Sequence, residues 1–127
     1  FTSSTTALEA SYYILKTLRD DHYFGINGKI NRLHDYMVGH LKRLSQAHPD
    51  LIEGPFGIGA MIAFTPLKGD REKVLAFIKA LFEAGVIGFV AGQNPTRARF
   101  ILPVFSLTES DIDAIVDILE ATLIAHA

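Results

Sequence analysis

Cysteine is absent from the 127 residues. Disulfide frameworks, thiolate metal sites and cysteine nucleophiles are therefore excluded. No apolar run approaches the ~20 residues a membrane-spanning helix needs. No basic stretch followed by an apolar one reads as a signal peptide. A basic stripe is missing too. Twelve Lys and Arg stand against fourteen Asp and Glu, mixed along the chain, for a net charge of −2. That balance offers no footprint for nucleic acid, and no acidic tail calls for a basic partner. Repeats and low-complexity segments are also lacking. The first residues, Phe1-Thr2-Ser3-Ser4-Thr5-Thr6, include no initiator Met and read as mid-fold. A cytoplasmic location is the default expectation.

What is present is globular. Apolar residues make up 49% and charged ones 20%, and a single domain of this size buries roughly two-thirds of its unfolded surface. Thr6 with Glu9 three residues on predicts a capping box opening a first helix through Tyr12, Tyr13, Ile14, Leu15 and Leu18. Ile26, Ile30, Leu33, Met37, Leu41 and Leu44 recur at helical spacing and predict a second helix, ended by Pro49-Asp50. Residues 51–59 read as a strand broken by glycines, and Ala60–Phe64 as a buried strand. Asp70 caps a third helix whose buried face is Val74, Phe77, Ile78, Leu81 and Phe82, with Gly85 just past its end. Val86–Ala91 and Arg97–Leu102 read as strands around the turn Gly92–Pro95. Thr108, with Asp111 at the third position, caps a last helix reaching Ala125. The expected fold class is α+β: a small, mainly antiparallel sheet of three to four strands, covered on one face by helices and preceded by a linking helix. Ile62, Phe77, Leu81, Phe100 and Ile115 are the expected core.

Few side chains carry chemistry. His22, His34, His40, His48 and His126 show no ligand spacing and read as surface histidines. Gly54 to Gly59 resembles a phosphate loop only loosely, because a strand follows where a helix should. Close backbone approach or a bulge is the better reading. The hydroxyl-rich run Thr2–Thr6 just before a helix fits an anion site or plain capping. Arg97 and Arg99 alternate onto one strand face. They suit either a bidentate carboxylate contact or a sheet-edge ion pair. Lys16, Lys29, Lys42, Lys68, Lys73 and Lys79 read as solvated surface, not as Schiff-base lysines.

Four stretches, in order, resemble the class III (fold-type I) aminotransferases, which use pyridoxal phosphate. Phe1–Ala10 is similar to their F-x-S-x-T segment. Ile52–Ala63 is similar to their V-x-G-x-G-L-M strand, and Leu81–Val86 to their L-x-x-x-G-V helix end. Arg97–Pro103 through Thr108–Asp113 resembles their R-x-x-P…T-x-E-x-I-D ending. The likeness spans essentially the whole chain. It departs at Ala7-Leu8, where the family has Gly-Gly, and at Pro103-Val104, where it has Pro-Pro.

The resemblance implies a carboxy-terminal small domain, residues 10–127, with residues 1–9 ending the large domain. By position Thr5, with Ser4 second, would reach the cofactor phosphate of the neighbouring subunit of a homodimer. Arg99, with Arg97 in the adjoining register, would engage a substrate carboxylate. No catalytic residue falls in this stretch. The Schiff-base lysine and the Asp facing the pyridine nitrogen lie upstream in the family, so the piece alone is expected to be inactive. The parent would pass an amino group between an amino acid and a keto acid or semialdehyde, in the acetylornithine, 4-aminobutyrate or glutamate-semialdehyde branch. Its partners would be its own large domain and small molecules, with neither nucleic acid nor membrane. The alternative is a free-standing α+β ligand-binding or regulatory module. Phe1–Glu9 is expected to lack its packing partners in the isolated piece.

Overall fold

Helices and strands follow one another in the expected order in the computed structural model, which describes residues 4–127. They are α1 (Thr5–Asp20), α2 (Lys29–Ala47), β1 (Ile52–Ile58), β2 (Met61–Pro66), α3 (Arg71–Glu83), β3 (Phe89–Ala91), β4 (Arg97–Ile101) and α4 (Glu109–Ala125). A single 3-10 turn, Leu67–Gly69, links β2 to α3. The sheet order is β1-β2-β4-β3, and every neighbouring pair is antiparallel. The fold class is therefore α+β, with a four-stranded open sheet.

Alternation decides which sheet face is covered. Ile62, Phe64, Ala98 and Phe100 point one way and are buried. Met37, Leu41 and Leu44 of α2, Phe77 and Leu81 of α3, and Ile112, Val116 and Leu119 of α4 complete that core. Each such side chain contributes about 1.5–3 kcal/mol on full burial. Phe64 sits at its centre, edge-on to Phe77 (6.3 Å between centroids) and tilted against Phe100 (5.6 Å). Of the expected core, Ile62, Phe77, Leu81 and Phe100 are buried and Ile115 is partly so.

The caps are mostly those the sequence predicts. Asp70 accepts a hydrogen bond from the Lys73 amide (3.0 Å). Thr108 and Asp111 form a reciprocal capping box. Gly85, at φ +98°, follows the end of α3 in the left-handed region.

Several boundaries differ. Ser4, not Thr6, caps α1, its hydroxyl accepting from the Ala7 amide (3.1 Å). Starting two residues earlier leaves Thr6 inside the first turn, where it cannot cap. Ile26 is not part of α2 and is 87% exposed. Gly28 begins that helix instead, since a Cβ there would overlap the Tyr23 and Phe24 carbonyl oxygens. Phe82 is exposed, because the buried stripe of α3 runs through Val74, Phe77 and Leu81, and position 82 lies a step off it. The strand expected over 86–91 shortens to Phe89–Ala91, because the Val86 amide is taken by the Leu81 carbonyl (2.8 Å).

No residue of α1 is buried, and Leu8, Tyr12, Tyr13, Ile14 and Leu15 are all exposed. Its far end is anchored. Tyr23 packs tilted against Phe105 (5.0 Å between centroids), and Lys29 Nζ lies over the Tyr23 ring and donates to the Phe105 carbonyl (3.2 Å). Lys29 thus fastens this end at the surface. None of the described helices is long and apolar enough to cross a membrane.

Candidate functional site: an arginine pair on the uncovered sheet face

The alternation that buries Ala98 and Phe100 turns Arg97 and Arg99 to the opposite face. There Phe56, Ala63, Arg99 and Phe89 stand side by side across the four strands, and Ala91 faces Arg97 one step along. The two arginines line a shallow cavity of about 270 Å³ with Phe56, Met61, Ala63 and Ala91. No acidic residue lines it. Among the described residues neither guanidinium forms an ion pair, so the sheet-edge pairing is not found. Both Nε atoms are buried without a hydrogen-bond partner. The third atom in that condition, Thr65 Oγ1, belongs to the same face, two residues beyond Ala63 on β2. Of the three, the two arginines line the cavity and Thr65 does not.

Local backbone geometry shapes this face. The β1–β2 register slips between Glu53 and Phe56, which is the bulge read from the glycine-rich stretch. Gly54 and Gly57 have φ of +116° and +114°, where other residues are strained. A Cβ at Gly57 would stand 2.3 Å from the Met61 carbonyl oxygen, so only glycine lets the strands approach. The bulge carries the Phe56 ring against Arg97, with the guanidinium carbon 4.8 Å from the ring centroid. A cation so placed gains about 0.5–1 kcal/mol at an exposed site.

The other predicted residues lie elsewhere. Thr2 falls outside the described residues. Ser4 and Thr5 open α1, and no α1 residue lines the arginine cavity. The first turn of α1 carries no acid. The Ala7 and Leu8 amides bond back to Ser4, so those of Thr5 and Thr6 have no partner within the helix.

Four of the five histidines are partly buried, contrary to the surface reading. His34 Nδ1 pairs with the Gly59 carbonyl (2.8 Å) and His126 Nδ1 with the Thr122 carbonyl (2.9 Å). His40 meets Asp113 (3.1 Å) and His48 meets Glu120 (2.8 Å), both bridging α2 to α4. Tyr36 donates to the same Asp113 (2.9 Å), which pushes its phenol pKa up. These are fastenings between helices. A larger cavity, about 320 Å³, lies beside Met37, Val86, Phe100, Leu102, Leu107 and Ile112, and no titratable side chain lines it.

Phe56 and Thr65 are the residues that sequence reasoning missed. Phe56 had a signal, since a lone aromatic inside a glycine-bracketed bulge has a place made for it. Thr65 had none, because a strand threonine is ordinary.

No protein-family model matches the chain, and comparison with curated proteins finds no match. Solved structures do. A lysine aminotransferase from M. tuberculosis superposes with a TM-score of 0.79 at 22% identity, over 93% of this chain and 25% of its own. An acetylornithine aminotransferase from Elizabethkingia anophelis gives 0.76 at 20%, over 98% and 31%. An aminotransferase from Bacillus anthracis gives 0.74 at 13%, over 91% and 27%. The chain thus spans about a quarter to a third of the length of the enzymes it matches. The fold is shared with one portion of these aminotransferases.

Proposed function

We propose that this chain is the carboxy-terminal small domain of a class III, pyridoxal-phosphate-dependent aminotransferase. Residues 1–9 would end the large domain and 10–127 form the small one. The observation that carries the reading is the arginine pair: two unopposed guanidiniums on an uncovered sheet face, in a fold shared with aminotransferases. A keto or amino acid brings the carboxylate they lack. Arg99 is its principal partner and Arg97 a second positive charge beside it. A substrate held this way is oriented, and orientation converts binding energy into rate.

The residues present suit one end of the cofactor. Thr5 offers a hydroxyl and an amide free of the helix, with no acid in the first turn to repel a phosphate. Ser4, already capping α1, is the second donor. In the parent homodimer they would serve the neighbouring subunit's phosphate. When bound, the cofactor supplies the carbonyl that takes up the amino group and the electron sink for its transfer. The lysine that would carry it lies upstream, so the chain alone is inactive. The reaction passes an amino group between an amino acid and a keto acid or semialdehyde, of the acetylornithine, 4-aminobutyrate or glutamate-semialdehyde kind.

The test uses the full-length enzyme. Arg99→Lys keeps the charge but loses the two-pronged contact. It should raise KM for carboxylate substrates about tenfold, at unchanged cofactor affinity. Arg97→Lys should raise it a few-fold. Thr5→Ala should weaken cofactor binding roughly ten- to hundredfold, the worth of one charge-assisted hydrogen bond. If neither arginine change moves KM, the carboxylate reading fails.

A further inference from the structure

We infer that Phe56 is a positioning residue for the arginine pair. It acts through Arg97, restraining that guanidinium against its ring while leaving its N–H groups to the carboxylate. The inference rests on the carboxylate reading above and deepens it.

The support is geometric. Arg97 has no acidic partner among the described residues, and its Nε has none of any kind. The contact that does restrain it is the Phe56 ring, 4.8 Å from the guanidinium carbon. A ring does not accept hydrogen bonds with a carboxylate's geometry, so a guanidinium held by a ring keeps N–H groups for a carboxylate. Carboxylate hydrogen bonds and the cation–ring contact therefore do not compete. An acidic side chain in place of the ring would compete, since it would take the same N–H groups.

The backbone is shaped around this placement. The one-residue slip between Glu53 and Phe56 re-aims the side chain across the strand, as bulges do. The notional Cβ of Gly54 falls 3.0 Å from the Phe56 ring, so any larger residue at 54 would displace it. Phe56 is 39% exposed and lies outside the buried core cluster. Its position on the bulge is explained by Arg97 and not by burial. Arg99, two residues along β4, has no such ring contact among the described residues.

The experiment uses the 127-residue chain, which carries its own closed core. The probe is acetate, titrated while the arginine Nε–Hε resonances are followed by NMR, with R97K and R99K giving the assignments. Wild type should show acetate shifts at both arginines. F56L should weaken acetate binding about two- to fivefold, and F56Y should restore it. The loss should vanish in the R97K background, because Phe56 acts only through Arg97. Melting temperature should stay close to wild type in F56L. An acetate response that F56L leaves unchanged, or an F56L loss that persists beside R97K, overturns the inference while the carboxylate reading stands. No acetate response at either arginine overturns both.

Discussion

Phe77→Ala tests the architecture most directly. The ring is fully buried on α3 and meets Phe64 edge-on at 6.3 Å between centroids. It also meets the His126 ring at a steep angle, 6.5 Å between centroids. Truncation removes a whole ring from the point where α3, α4 and the sheet meet. Phe77 lies within the buried core cluster, so its loss leaves a cavity there. The cost should be about 3–5 kcal/mol. A domain's total stability is about 5–15 kcal/mol, so a large share would go. At roughly 3–5 °C per kcal/mol for this chain length, the melting temperature should drop by ~10–20 °C. Phe82 supplies the control on the same helix. It is 65% exposed, and Phe82→Ala should cost under about 0.5 kcal/mol. Urea unfolding of the three proteins reads both numbers, at unchanged m. A Phe77→Ala loss below ~1 kcal/mol, or a Phe82→Ala loss equal to it, would mean that α3 presents its other face to the sheet.

Gly57→Ala should cost more than about 2 kcal/mol in urea unfolding, because φ of +114° is strained for alanine and its Cβ would meet the Met61 carbonyl. Gly39→Ala, on an exposed turn of α2 with nothing within 4 Å, should instead stabilise by about 0.5–1 kcal/mol. The Asp111 carboxyl is held below its ordinary value of 3.8, first by the Thr108 hydroxyl and then by the Thr108 amide. A depressed folded pKa means stability that is whole above the ordinary range and lost as pH falls through the folded value. The melting-temperature gap between wild type and Asp111→Asn should therefore be full at neutral pH and close below about pH 4; a gap that stays constant down to pH 2 would show that the box does not depend on the carboxylate charge.

Periodicity made most of the fold legible. Leu33, Met37, Leu41 and Leu44 announce α2 by spacing alone, and Ile62 with Phe64 and Ala98 with Phe100 announce the two central strands. Misreadings gather where local backbone geometry overrides pattern. Ile26 fits the α2 spacing, but α2 begins only after the close approach at Gly28. Thr6 fits a capping box, but Ser4 reaches the same helix start sooner. His40 and His48 looked like surface groups because their partners, Asp113 and Glu120, are more than seventy residues away in sequence. The site was legible in part. Alternation put Arg97 and Arg99 on one face. That nothing acidic opposes them, and that Phe56 does, depends on strand order and on the bulge, and neither has a local signature.

The arginine pair and the core are two consequences of one register. A one-residue slip of β4 would send both guanidiniums in among Phe64 and Phe77 and turn Ala98 and Phe100 outward. Burying unpaired charge costs several kcal/mol per ion, so the slipped sheet is far less stable than the observed one. Backbone bonds hold both ends of the strand against such a slip. The Thr96 amide donates to the Gly69 carbonyl (3.0 Å), and the Leu102 amide to the Ala60 carbonyl (2.8 Å). Gly69 has no room for a side chain, since a Cβ would lie 2.4 Å from Pro95. Pro95 and Gly69 thus clamp one end of β4, and the Gly59-Ala60 turn of the β1–β2 hairpin clamps the other. A variant that loosens either clamp should weaken the arginine site and the core together. One that alters only the guanidiniums should spare the core, because the open face contributes little to it. The position of the arginines is thus set by the apolar residues between and beside them, while the anion they await has no part in building the fold.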